Sequence, residues 1–305
     1  MSEVRIIRFM RFRRGMAIFS AAVVLIGLAA LVTKGLNLGL DFTGGTSIEL
    51  RFAQAAQQEQ VSSALAQAGY HDAVVQYLGD ASSVQVRLPP QPGEAAQVGK
   101  HIAEVVSSAG NAARVVQIDS VGSQVGDELY GQSLLAVGLS LIMMMIYVAV
   151  RYRFKFAVGA VISLFHDVLF TVGMFSLFGL PFDLTVLAAV LALIGYSLND
   201  TVVVFDRIRE NFRKLRRADP VEIVDISLTE TLRRTIMTVA TVVLVVLSLL
   251  FLGGPALHWF SVALLIGLFA GTYSSIYIAT SYALAMGLTK EDFIITVKKA
   301  EDDLP

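Results

Sequence analysis

Six apolar runs decide what this chain of 305 residues can fold into. They cover roughly residues 15–35, 131–150, 156–179, 184–206, 235–252 and 259–286. Each can cross ~30 Å of hydrocarbon at ~1.5 Å per residue with some tilt. Backbone amides in that layer have no water to bond, so such a segment has to be a helix. Composition agrees: 55% of residues are hydrophobic, 16% are charged, and mean hydropathy is +0.66. That is too apolar for a soluble domain of this size. The prediction is a polytopic α-helical membrane protein with six transmembrane helices.

Lysine and arginine orient it. Arg5, Arg8, Arg11, Arg13 and Arg14 precede the first run, and Arg151, Arg153 and Lys155 lie between the second and third. Arg207, Arg209, Arg213, Lys214, Arg216 and Arg217 follow the fourth; Arg233 and Arg234 precede the fifth; Lys290, Lys298 and Lys299 close the chain. Connections 180–183 and 253–258 carry none, and the long polar segment after the first run carries only Arg51, Arg87, Lys100 and Arg114. The positive-inside rule then places both termini in the cytoplasm and residues 36–130 outside. Met16–Val32 is longer than a signal-peptide core and lacks a small-x-small site after it, so it reads as an uncleaved first helix. The expected organisation is 1–35 (cytoplasmic N-terminus and first helix), 36–130 (outside domain), 131–289 (five further helices) and 290–305 (cytoplasmic tail).

The outside segment reads as a small α+β domain. Thr46–Phe52 alternates like a strand, and 58–68 looks helical up to Gly69. Residues 73–78 and 83–88 are strands around a Gly79-Asp80 turn; 95–109 is helical, ending at Gly110; 113–118 is a last strand. The order βαββαβ is the split-βαβ, ferredoxin-like pattern. Inside the cell, segment 207–234 is basic and then amphipathic. Asp219-Pro220 with Glu222 fits an N-cap, a first-turn proline and a capping-box carboxylate. Val221, Val224 and Leu228 recur at helical spacing, predicting a short helix on the inner membrane surface. The plainer reading is a basic loop that fixes topology.

Several chemistries are excluded. The chain has no cysteine, so disulfides, iron–sulfur clusters and thiolate metal sites are absent. Its four histidines, His71, His101, His166 and His258, show no metal-ligand spacing. Gly93…Gly99-Lys100-His101 misses the phosphate-loop spacing and has His where Ser or Thr must bind magnesium. No ATP site, metal, cofactor or enzymatic activity is expected. A net charge of −1 gives no reason to expect nucleic acid.

The polar residues inside the apolar runs are where chemistry can reside. Asp200 lies about six residues inside the cytoplasmic end of the fourth run, beside Asn199. A carboxylate there costs at least ~2.5–3.5 kcal/mol on insertion scales and tends to be functional. It reads either as a protonatable group or as half of a fixed salt bridge. Arg234 opens the fifth run and is the candidate counter-charge; alternatively it snorkels to the headgroups, as Arg233 does. His166-Asp167 sits near the middle of the third run, either on a proton path or as a structural anchor. Adjacent residues diverge by ~100° on a helix, so these two are not expected to bond to each other, and one faces a neighbouring helix. The sixth run carries Thr272-Tyr-Ser-Ser-Ile-Tyr277 with Gly267 and Gly271, which suits close packing better than a proton path. Gly44-Gly45, just outside the first run, allows a tight turn and reads as a structural hinge.

Three motifs carry a resemblance: Leu40-Asp-Phe-Thr-Gly-Gly-Thr46, the stretch 195–211 from Gly195 to Asn211, and Thr231-Leu-Arg-Arg-Thr-Ile236. With the six-span layout, they make the chain similar to the SecF family of bacterial protein-export membrane proteins, over nearly its whole length. The resemblance implies half of a transporter of the resistance–nodulation–division type, completed by six helices of SecD, in the bacterial inner membrane with its domain periplasmic. It implies association with the SecYEG channel and use of the proton-motive force to pull preproteins outward after SecA has acted. It implies a proton path through Asp200 and Arg234, with an acid of SecD opposite. The alternative is a proton-driven exporter of small molecules or lipids, though such pumps usually have twelve spans and two large outside loops. A third reading is a non-energised scaffold for a partner channel.

Overall fold

The computed structural model describes residues 6–289 except 79, 92, 108, 109 and 216, and also Asp292. Arg5, the Gly79 turn position, the 108–109 end of the expected domain helix, Arg216 and the 290–305 tail apart from Asp292 lie outside the described residues.

Six helices long and apolar enough to span a membrane are present among the described residues. They are α1 (Arg13–Thr33), α5 (Ser123–Arg151), α6 (Phe154–Phe178), α7 (Leu184–Lys214), α8 (Pro220–Leu252) and α9 (Pro255–Ser274). The last continues through a π-helical turn, Ser275–Ala279, into α10 (Thr280–Ala285). Several outrun their apolar windows, since hydropathy marks only the hydrocarbon layer. The 31-residue α7 is about 46 Å long at ~1.5 Å per residue.

The segment 207–234 is where expectation and structure part. Among the described residues there is no separate surface helix. Asp219 does cap a helix, accepting from Val221 N at 3.1 Å with Pro220 in the first turn, but that helix is all of α8. Its first turns bury Ile223, Val224 and Leu228 against Phe205, Ile208 and Phe212 of α7. The amphipathic face found a protein partner, the extension of α7 beyond its apolar run, and so does not lie on lipid. Asn211 Nδ2 donates to Ser227 Oγ (3.0 Å) and Glu230 Oε2 (2.7 Å), and Arg207 Nε to the same Glu230 oxygen (2.7 Å), closing the pair.

Between α1 and α5 lies the domain. After β1 (Asn37–Leu38) and the single turn α2 (Leu40–Thr43) come β2 (Gly45–Phe52), α3 (Gln58–Gln67), β3 (Val74–Leu78), β4 (Asp80–Leu88), α4 (Ala95–Val106) and β5 (Ala113–Val121). The sheet order is β3-β4-β2-β5, with every neighbouring pair antiparallel. This is the split-βαβ arrangement the sequence predicts. Alternation along β2 and β4 turns Ile48, Leu50, Val84 and Val86 onto Leu65 of α3 and Ile102 of α4; all six are fully buried. Leu50→Ala should destabilise the domain by about 2–5 kcal/mol. Limited proteolysis of the membrane-embedded protein should show the domain cut faster and the helices unchanged.

Two features join the domain to the helices. β1 pairs in parallel with β6 (Pro181–Phe182) in the α6–α7 connection. Arg87 on β4 donates to Leu38 O (3.1 Å), Asn37 Oδ1 (3.0 Å) and Gln76 Oε1 (3.1 Å), and Asn37 Nδ2 donates to Gly179 O (3.0 Å). A chain of hydrogen bonds therefore runs from the sheet to the end of α6 and the α6–α7 connection. The second feature is Gly44-Gly45, at φ 65° and 120°. A Cβ on Gly44 would lie 2.8 Å from Ser123 Cα, and one on Gly45 would lie 2.2 Å from the Leu88 carbonyl oxygen. Glycine is required here by both backbone angle and space.

Candidate functional site

The site is built on α7. Its buried face carries Leu193, Ile194, Ser197, Leu198, Asp200, Thr201, Val204 and Phe205. Asp200 is 3% exposed, and its Oδ2 has no hydrogen-bond partner among the described residues; nor has Thr201 Oγ1. The Tyr196 hydroxyl stands near Asp200 and Thr238. Asn199, about 100° round the helix, is exposed. It does not join Asp200.

Arg234 on α8 is close enough to act on Asp200 electrostatically. Helices α7 and α8 do pack together, as the pairing requires. Yet no ion pair within 4.0 Å links the two residues, and both Arg233 and Arg234 are exposed on the chain's surface. Among the described residues neither arginine forms an ion pair. Asp206 belongs elsewhere: it accepts from the Tyr152 hydroxyl at 3.1 Å and lies 3.6 Å from Arg151.

A second acid is more elaborately held. Asp167 on α6 is 1% exposed. Its Oδ2 accepts from Ser197 Oγ on α7, in a short bond, and from Ser274 Oγ on α9 at 2.8 Å. Ser163 Oγ donates to Ser274 Oγ at 2.9 Å. His166 Nδ1 lies 3.0 Å from Asp167 Oδ1, so the adjacent pair does bond, contrary to expectation. The Cβ directions diverge, but the imidazole lies sideways between Phe170 and Tyr273, with centroids at 6.0 Å to each, which turns Nδ1 back toward its neighbour. As expected, one member of the pair, Asp167, faces neighbouring helices.

Close packing of α9 makes this junction possible. A Cβ on Gly267 would meet Leu193 Cδ2 at 2.4 Å, and one on Gly271 would lie 3.2 Å from Ser197 Cβ. The sixth-run glycines thus serve packing, while Ser274 beside them serves the acid. Sequence reasoning did not link Ser163, Ser197 or Ser274 to Asp167, because isolated serines in apolar helices carry no signal of what they face.

Among the described residues, the geometry thus sets a buried carboxylate with an unbonded oxygen near an arginine that forms no ion pair, in a six-helix bundle. The sequence profile described as "Protein export membrane protein SecD/SecF, C-terminal" matches residues 101–289, and that of the SecD/SecF GG motif matches residues 29–56. The chain belongs to the SecD/SecF family. The GG-motif match spans Gly44-Gly45. Among members of the family, the protein translocase subunit SecF of Pseudomonas aeruginosa is 48% identical over 306 residues, covering 99% of both chains. That of Vibrio alginolyticus is 45% identical, covering 93% of this chain and 91% of its own. A crystal structure of SecDF, a translocon-associated membrane protein of Thermus thermophilus, matches with a TM-score of 0.85 at 35% identity, over 94% of this chain and 39% of that one. A SecDF structure in a super-membrane-facing form matches at 0.68, again at 35% identity, over 92% of this chain and 38% of its own. SecD/SecF members of this kind are multi-pass membrane subunits of the protein-export machinery, and this chain has that fold.

Proposed function

We propose that this chain couples the proton-motive force to the outward movement of preproteins across the bacterial inner membrane. It does so with SecD, which supplies six further helices, beside the SecYEG channel and after SecA has driven early translocation. The arginine-rich ends of the helices face the cytoplasm and the domain faces the periplasm. Asp200 takes the proton and Arg234 is its counter-charge. Asn199, exposed beside Asp200, faces SecD; His166 and Asp167 complete the polar path.

The observation that carries this reading is Asp200 itself, buried one helix away from an exposed Arg234, its Oδ2 unpartnered and the arginine without an ion pair among the described residues. An unpaired intramembrane arginine is costly against lipid. A matched region that is 39% of a SecDF chain supports a complement of further helices that would cover it. The two SecDF structures match this chain unequally, 0.85 against 0.68, at the same 35% identity. One of them is of a super-membrane-facing form, which supports more than one arrangement in proteins of this kind, and Gly44-Gly45 is the joint we assign to this chain.

The mechanism follows. Neutralising Asp200 from the periplasm removes its attraction to Arg234, the helices repack, and the motion reaches the sheet through β6, β1 and Arg87. Deprotonation toward the cytoplasm resets the state. One proton falling through ~100 mV supplies ~2.3 kcal/mol, enough to bias states a few kcal/mol apart.

The test uses inner-membrane vesicles in which ATP is removed after translocation has begun. An imposed proton gradient should complete translocation when the chain is present and fail when it is depleted. Unchanged completion after depletion contradicts the proposal. Lost resistance to small toxic molecules with normal preprotein processing would point to a small-molecule exporter.

A further inference from the structure

We propose that Asp167 is a positioning residue: through Ser197 it latches α7 in the rotation that buries Asp200. The inference rests on reading Asp200 as the titrating group.

The rotation of α7 decides which polar residue faces inward. Asn199 and Asp200 are ~100° apart, and the first is exposed while the second is buried. Most of the contacts that hold the buried face are apolar: Leu193, Ile194, Leu198 and Val204. Such contacts are non-directional and tolerate a turn of the helix. Ser197 is different. It lies one turn before Asp200 on the same face, is 1% exposed, and donates to Asp167. A hydrogen bond weakens steeply away from its length and angle, so this bond reports and resists rotation.

Asp167 is well placed to be the fixed end. Its Oδ1 is engaged by His166 and its Oδ2 also takes Ser274 of α9, so α6, α7 and α9 share one carboxylate. Gly271 leaves the space that lets Ser197 reach it. The two buried acids thus have opposite surroundings. Ser197 and Ser274 donate to Asp167 and His166 Nδ1 lies 3.0 Å from it, while among the described residues none reaches Asp200 Oδ2. The Asp167 carboxylate is engaged between three helices, while Oδ2 of Asp200 is open to a proton. Ser274 is also the last residue before the π-helical turn Ser275–Ala279, a place where helix register is weakly held and function often concentrates. The latch therefore sits where both α7 and the sixth span can yield.

The experiment is carbodiimide labelling of the full chain with its partner in membrane vesicles, read residue by residue by mass spectrometry. Dicyclohexylcarbodiimide is the probe, and Asp225, buried at 6% where it accepts from Met10 N, is the internal reference for an intact fold. Ser197→Ala should raise Asp200 labelling about five- to tenfold, the factor that loss of one net hydrogen bond gives. Asp167→Asn should do the same, Ser197→Thr should stay near wild type, and Ser274→Ala should give a smaller rise. Should Ser197→Ala fail to assemble, Ser274→Ala decides. Wild-type labelling in Ser197→Ala or, in that event, in Ser274→Ala overturns the latch, as does labelling in Ser197→Thr as high as in the alanine variant. A purely structural role would move Asp225 as well as Asp200. Full translocation by Asp200→Asn would instead remove the proposed function and leave the labelling result standing.

Discussion

Replacing Asp200 by Asn should abolish gradient-driven completion of translocation while leaving the ATP-driven early phase intact. Asparagine keeps the shape and the burial of the side chain but cannot take or lose a proton. The electrical driving force of ~2.3 kcal/mol per charge at ~100 mV is then uncoupled, about a fiftyfold loss of bias at ~1.4 kcal/mol per decade. The loss should survive at any gradient, because no titratable oxygen remains at the position. Asp200→Glu should retain part of the rate, since it keeps the carboxyl group and displaces it by one methylene. Completion at the wild-type rate in Asp200→Asn would make the residue structural.

Gly45→Ala should have the largest effect on folding. Its Cβ would stand 2.2 Å from the Leu88 carbonyl oxygen, and φ is 120°. Both obstacles are backbone, so relief requires opening the Thr46↔Leu88 end of the β2–β4 pairing, where the domain meets α2 and α5. Strain at such an angle costs ~1–3 kcal/mol by itself, and the clash adds to it. Against a domain stability of ~5–15 kcal/mol this is a large fraction. Protease protection of the domain should fall sharply. Gly69→Ala is the control: its φ is 94° but no atom lies within 4 Å of the new Cβ, so its effect should be confined to the angle strain of ~1–3 kcal/mol, without the clash.

The spans and the domain were legible because each rests on a local pattern. An apolar run has to be helical in lipid, and alternation in 46–52 and 83–88 has only one pleated solution. The Asp219 cap was legible for the same reason, but the length of its helix was not. Amphipathicity says that a face will be covered and leaves open whether lipid or α7 covers it. The β1–β6 pair was invisible because two-residue strands carry no periodicity. The site was half legible. Asp200, Arg234, His166 and Asp167 stand out as polar residues in apolar helices. Their grouping does not: Asp167 meets Ser197 and Ser274 across sequence separations of 30 and 107. No local signal spans such distances, whereas the placing of Asn199 and Asp200 on different faces follows from the helix period alone.

The central claim is that Asp200 changes protonation when the gradient is applied. Infrared difference spectroscopy of the complex reconstituted in vesicles tests it most directly. Imposing and dissipating a proton gradient should produce a reversible protonated-carboxyl band that is missing in Asp200→Asn and retained in Asp225→Asn. A band that persists in Asp200→Asn, or no band in the wild type while gradient-driven translocation proceeds, would contradict the account.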